Sequence, residues 1–307
     1  YPDRAIKLVI PYTPGGGTDT VGRMLAEKIT SDLKWTILVD NKPGAGGNIG
    51  MDLVAKAKPD GYTLGMGQTS NLAINPALMS KMPFDAVNDL IPVAFVAEVP
   101  MVLVVTANSP WNSFGDLVKA LKAKPDFYKQ ATAGAGTVGH IGGEMLASKA
   151  GYVVSFIPYK GAAPAITDVM AGHVDGFFGD IPGLIGFIKS GKLKPIGLAA
   201  DKRNSAIPDV KTFNEMGIKG VDTNNWYAVF VKSGTPKVDI ERLSMALKKV
   251  VKQEPLNSKL SQSGSEPVGS SPEELGMVLK RDIAKWSQLI KAKKITAETK
   301  ICINVNA

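Results

Sequence analysis

Short apolar runs alternate with longer stretches of helical period along most of the chain. Ile6, Leu8, Val9 and Ile10 form a run rich in β-branched residues, the pattern of a buried parallel strand. Pro11 and Pro14 end it. After Gly15-Gly16-Gly17, the apolar positions Val21, Met24, Leu25, Ile29 and Leu33 recur at helical spacing, and Thr18 and Asp19 are residue types that cap helix N-termini. The opening thus predicts strand, glycine turn and helix. The same pattern continues with a strand over 36–40, a second glycine-rich turn over 41–48, a helix over 49–57 and a strand over 63–66. Gln68, Thr69, Ser70 and Asn71 follow as a polar cluster at the C-terminal edge of that strand, where open α/β sheets bind their ligands.

Further strands are predicted over 90–96, 101–106, 128–132, 153–158, 174–178, 194–199 and 223–231. Helices are predicted after Ser113, after the glycine turn 133–140, and over 165–171, 238–252 and 272–293. In the last of these Leu275, Val278, Leu279, Ile283, Trp286 and Ile290 make an apolar stripe, which reads as core. Alternating strands and helices predict an α/β fold with doubly wound sheets.

Composition narrows this picture. A length of 307 residues suits two domains of ordinary size, and no apolar run is long enough to span a membrane as a helix. Lys plus Arg exceeds Asp plus Glu, 36 against 28, but the basic residues are scattered singly. That is a mild pull on anions and not a nucleic-acid stripe, so no nucleic-acid partner is expected. Cys302 is the single cysteine, which fits the cytoplasm and equally a bacterial periplasm. The opening Tyr1-Pro-Asp-Arg suits the residues that follow a removed signal peptide.

The candidate chemistry sits in glycine turns. A helix that starts beneath such a turn presents unpaired N–H groups and the positive end of its dipole, an anion site without a basic side chain. The turn at 15–19 is one; an ordinary capped βα turn reads equally well there. The turn Gly134-Ala-Gly136-Thr-Val-Gly139 is another, and it also fits the dinucleotide pattern G-x-G-x-x-G. A nucleotide-dependent enzyme built on Gly134 to Gly139 is therefore the alternative. It lacks the expected acid after the next strand, which ends in Pro158-Tyr159-Lys160. There is no Walker sequence, no G-x-S-x-G elbow, and no paired His or Cys at metal-ligand spacing, so no cofactor, metal or catalytic residue is assigned. His140, in the first turn after the second glycine loop, either faces a ligand or supports the loop. His173 suits a helix end. Asp180, at a strand end, either meets a ligand donor or caps a helix before Pro182. Lys160 either pairs with an anion or is solvated. Backbone donors hold an oxyanion without changing it, which favours capture over catalysis.

Several longer motifs resemble one family. Pro14-Gly-Gly-Gly-Thr-Asp19, Asn41-Lys-Pro-Gly-Ala-Gly-Gly-Asn-Ile-Gly50, Pro59-Asp-Gly-Tyr62, Ile74-Asn-Pro-Ala77, Pro158-Tyr-Lys-Gly161, Pro208-Asp-Val210 and the closing Ser271-Pro-Glu-Glu274 and Ile283-Ala-Lys-Trp286 are similar to those of the Bug receptors. These are TctC-like substrate-binding proteins of tripartite tricarboxylate transporters. The resemblance covers residues 3–296, and Thr299 to Ala307 depart from the family's usual end. It implies a monomeric, non-catalytic periplasmic receptor of the type II binding-protein fold: two α/β lobes, each a mixed sheet flanked by helices, with the ligand in the interlobe cleft. Such a receptor closes around a small carboxylate and delivers it to a membrane permease or signals its presence. The lobes would be 1–102 plus 226–307, and 103–225, with hinges near 100–105 and 222–227. By position, the resemblance implies ligand contacts at Gly16, Gly17, Thr18 and Asp19 in one lobe and at Gly136, Thr137 and His140 in the other. Gln68, Ser70, Asn71, Lys160, Gly161 and Asp180 would form the pocket walls. Ala133, Ala135 and Val138 make the second loop more apolar than the family's common form, which suits an aromatic or aliphatic acid.

Overall fold

In a computed structural model of the chain, residues 1–125, 128–221, 223–293 and 295–296 are described; Asp222 and the tail over 299–307, with Cys302, lie outside them. The chain opens with β1 (Ile6–Ile10), α1 (Gly17–Leu33), β2 (Ile37–Asn41), α2 (Asn48–Ala55) and β3 (Thr63–Gln68). A single π-helical turn, Ser70–Ile74, and the short α3 (Asn75–Leu78) lead to β4 (Leu90–Val99). Then come β5 (Met101–Thr106), α4 (Phe114–Ala123), β6 (Lys129–Thr132), α5 (Val138–Ala150) and β7 (Ser155–Pro158). α6 (Ala162–Ala171), β8 (Gly176–Asp180), α7 (Ile181–Lys189) and β9 (Leu193–Ala199) follow. The chain ends with β10 (Asn225–Lys232), α8 (Lys237–Lys252), α9 (Leu256–Gln262), β11 (Glu266–Pro267) and α10 (Pro272–Lys293).

Among the described residues the strands form two sheets, one per lobe. The first has the order β11-β4-β10-β3-β1-β2, the second β7-β6-β8-β5-β9. Both are mixed. β1 runs parallel to β2 and β3, whereas β10 is antiparallel to β3 and to β4. β6 runs parallel to β7 and β8, and β5 is antiparallel to β8 and β9. Only Pro100 separates β4 of the first sheet from β5 of the second, and the return runs between Ala199 and Asn225.

Burial explains why the apolar runs become central strands. Ile6, Leu8, Val9 and Ile10 are all buried, as are Trp226 to Val231 in β10. The stripe on α10 covers one face of the first sheet: Leu275, Leu279, Trp286 and Ile290 join Phe95, Trp226 and Phe230 in one apolar cluster. α1 and α8 cover the other face through Val21, Leu25, Leu243 and Leu247.

Two local expectations change. α1 begins at Gly17 with Gly16 as its N-cap, so Thr18 and Asp19 lie inside the first turn and do not cap it. Gly16 takes the extended N-cap backbone, and the Asp19 carboxylate turns back to accept the Gly15 amide at 2.9 Å. α9 and the π-helical turn have no counterpart among the predicted elements. Both are too short for a helical period to register.

Candidate ligand-binding site

The ends of β1, β3, β6 and β8 and the starts of α1 and α5 converge between the lobes, around a cavity of about 40 Å³. That is room for about three waters. Gly16, Gly17 and Thr18 bring the N-terminus of α1 to it from the first lobe; Thr137, Val138 and Gly139 bring that of α5 from the second. Gln68, Ser70 and Asn225 supply side-chain amides and a hydroxyl, while Met101, Phe177 and Phe178 supply apolar wall. Asp180 is the charged side chain in this lining, which includes no Lys, Arg or His.

Hydrogen bonds join the lobes at this point. The Val138 amide, at the first turn of α5, donates to Ser70 Oγ at 3.1 Å. The Tyr227 hydroxyl on β10 donates to the Asp180 carboxylate at the end of β8. Asn225 Nδ2 donates to Gln68 Oε1 at 2.7 Å, which fixes the amide of that wall residue. Asp180 is the N-cap residue of α7, so its carboxylate faces two helix starts, those of α7 and α1. Gly17 is glycine because of this approach: a Cβ there would overlap the Asp180 carboxylate and press on the Tyr227 hydroxyl. Gly139 has a similar reason, since a Cβ would overlap the carbonyl of Phe178. Burial pushes the Asp180 carboxyl above its ordinary range, while the Tyr227 hydroxyl and the Gly183 amide favour its charged form.

A second cavity of about 160 Å³ lies beside the first, and Tyr12 and Ala133 line both. Gly44 to Gly47 of the first lobe face Gly134, Tyr159 and Lys160 of the second across it. The Tyr12 hydroxyl donates to the Gly46 carbonyl at 2.8 Å, which holds the second glycine turn of the first lobe in place.

The structure therefore gathers Gly16, Gly17, Thr18, Gln68, Ser70, Thr137 and Asp180 around the first cavity and places Lys160 at the second. Asp19, Asn71, Gly136, His140 and Gly161 line neither. Asp19 is buried behind the turn, where its carboxylate accepts Gly15 N, Arg23 Nε and Asn41 Nδ2. Asn71 Oδ1 accepts the Gln68 amide at 3.0 Å and so shapes the strand end. Gly136 packs against Asn75 of the first lobe, and Gly161 against Thr13.

His140 supports its loop from beneath. Its Nδ1 accepts the Gly136 amide at 3.2 Å, so in the neutral ring the proton sits on Nε2. Phe156 packs edge-on at 4.9 Å, and Glu144 Oε1 lies 4.0 Å from Nε2. Burial lowers the His140 pKa from 6.5 to about 4. Folding therefore favours the neutral ring. The resulting stability is complete above the unfolded-state value, pH 6.5, and is lost as pH falls toward about 4. The difference is on the order of 3 kcal/mol. Urea unfolding at pH 7 and pH 4.5 is expected to show this loss, and His140→Gln is expected to flatten it; parallel pH profiles for the two proteins would refute the assignment.

Tyr12, Asn225 and Tyr227 shape the site and were not singled out by sequence. All three sit in or beside strands of core-like composition, and only the glycine-aspartate ending of β8 hinted at what they face.

Residues 21–295 match the sequence profile of a family described as the tripartite tricarboxylate transporter family receptor. The chain belongs to that family. The family is one of substrate-binding receptors and not of enzymes. Solved structures agree over nearly the whole chain. The periplasmic binding protein BugD is similar with a TM-score of 0.93 and 32% identity, covering 96% of this chain and 99% of that one. An R. palustris protein solved with adipate has a TM-score of 0.93 and 29% identity, with 96% and 99% covered. MatC from Rhodopseudomonas palustris, with bound malate, has a TM-score of 0.89 and 28% identity, with 94% and 100% covered. The fold is the two-lobed solute-binding fold.

Proposed function

We propose that this receptor works in the periplasm, where it captures a small carboxylate between its lobes for a tripartite tricarboxylate-type permease or for sensing. The observation that carries this reading is the meeting of two helix N-termini, one from each lobe, at a single cavity without basic side chains. Amides and dipoles there favour an anion and leave it chemically unchanged. Adipate and malate in the two R. palustris relatives support the ligand class.

Closure follows from the same contacts. A ligand that touches both helix starts binds the closed arrangement better than an open one and shifts the population toward it. The hinges would be Pro100 and the return strand near 223–227, where the chain passes between the sheets. Ligand-binding roles go to Gly16, Gly17, Thr18, Gln68, Ser70, Thr137 and Asp180. Asp19 and His140 hold the two loops that present the amides. The receptor is expected to act as a monomer.

Thermal unfolding tests this reading. A ligand present at 100 times its Kd adds about 2.7 kcal/mol to the stability of the native state. Members of a panel of C2 to C6 carboxylates are expected to raise the Tm, whereas NAD and ATP are not. Stabilisation by a nucleotide and by no carboxylate would overturn it. The nucleotide reading has little support, because the strand after the Gly134–Gly139 turn ends in Pro158-Tyr159-Lys160 without the acid that would hold a ribose.

A further inference from the structure

Two side-chain oxygens of the first lobe are covered by the second without gaining a partner. Thr13 stands in the turn between β1 and α1, and Asn75 opens α3. Thr13 Oγ1 and Asn75 Oδ1 are both shielded from solvent, and neither has a hydrogen-bond partner among the described residues. Each lies against a glycine across the cleft. A Cβ at Gly161, the N-cap of α6, would overlap Thr13 Oγ1, and a Cβ at Gly136 would overlap Asn75 Oδ1. A glycine Cα–H pointed at an oxygen is a much weaker donor than an amide. The other end of the Asn75 amide is satisfied, since Nδ2 donates to Asn48 Oδ1 at 2.9 Å. Around the two oxygens the seam is glycine and alanine, with Gly16 against Ala162 and Gly134 against Gly46. Neither Thr13 nor Asn75 lines the first or the second cavity.

Burying a polar atom without a partner costs free energy, because the bond it made to water is not replaced. Here the cost falls on the meeting of the lobes and does not depend on the ligand. We propose that Thr13 and Asn75 hold the empty receptor open: their oxygens are hydrated while the lobes are apart and stranded when they meet, so closure waits for the ligand's own contacts. This rests on the receptor reading above. The pair thereby sets the affinity without touching the ligand. A receptor whose closed form is rare binds every ligand more weakly by that same fraction. It also keeps the closed shape for the loaded state, so a permease or sensor can tell loaded from empty.

Thr13→Ala and Thr13→Ser test this, because the two variants differ by the hydroxyl alone. The hydroxyl makes no hydrogen bond that the fold would lose. Calorimetric titration with malate, succinate, glutarate and adipate reads the affinity, and small-angle scattering of ligand-stripped protein reads the spread of the lobes. Thr13→Ala is expected to bind each acid that binds at all at least fivefold tighter than Thr13→Ser, by a common factor. When empty it is expected to be the more compact of the two. Equal affinities and an equal empty spread would overturn the proposal and leave the receptor reading standing. A factor that differs from acid to acid would overturn it as well, because that would put the hydroxyl on the ligand. If none of a wider carboxylate panel binds the natural protein, the receptor reading fails, and the scattering of the two empty variants still decides whether the hydroxyl opposes closure.

Discussion

Gly17→Ala is expected to weaken ligand capture by at least tenfold while each lobe keeps its fold. Gly17 is the first residue of α1 and lies between Asp180 of the other lobe and the Tyr227 hydroxyl of its own. A methyl group there would overlap the Asp180 carboxylate and the Tyr227 hydroxyl, and Gly183 lies against the same amide. Alanine is well tolerated in a helix, so α1 itself loses nothing. What suffers is the approach of α7 to α1. If that approach belongs to the ligand-bound arrangement, the loss appears in affinity, and about 1.4 kcal/mol corresponds to each factor of ten. Titration with the tightest carboxylate found by thermal shift reads the affinity, and small-angle scattering reads the spread of the lobes. An unchanged affinity, with the lobes as close as in the natural protein, would place the binding site elsewhere.

Trp286→Ala is expected to cost the first lobe about 3–5 kcal/mol, the range for truncating a buried aromatic side chain. Trp286 is 1% exposed and lies on the α10 stripe with Leu275, Leu279 and Ile290. It shares its cluster with Phe95, Trp226 and Phe230 of the sheet and with Leu72 and Ile74 of the π-helical turn. That turn begins at Ser70, the residue that accepts the Val138 amide. The substitution thus removes support from the site as well as from the core. A nearby buried hydrogen bond, Trp226 Nε1 to Asp282 Oδ2 at 2.8 Å, ties the same helix to β10 and keeps α10 from refilling the gap. Urea unfolding monitored by circular dichroism reads the loss. Met277→Ala, on the exposed face of the same helix, is the control and is expected to stay within about 0.5 kcal/mol. Equal effects from the two would show that α10 does not bury its stripe as described.

The glycine turns and the strands and helices around them were legible because their signals are local. An apolar run of β-branched residues, a glycine turn and a helical stripe can each be read within a dozen positions, as in residues 6–33. The helix start at Gly17 was blurred by two residues, since Thr18 and Asp19 look like caps but serve the turn from inside. The roles of Asp19 and His140 were not legible as buttresses. Each depends on a partner amide whose position the fold sets, Gly15 for one and Gly136 for the other. Tyr227 was least legible of all. It sits in a strand whose neighbours Trp226, Val229 and Phe230 are core, and only the packing of β10 against β3 turns its hydroxyl toward Asp180. Contacts between residues 47 positions apart leave no periodic mark on the chain.

The place of β10 has a consequence for how the molecule comes together as the chain is delivered from its N-terminus. β10 lies between β3 and β4, antiparallel to both. Until residue 232 has arrived, the first sheet is two separate pieces with open edges, whereas every strand of the second sheet is already available by residue 199. The inserted lobe can therefore assemble first, and the lobe that begins the chain is the one that must wait for its central strand.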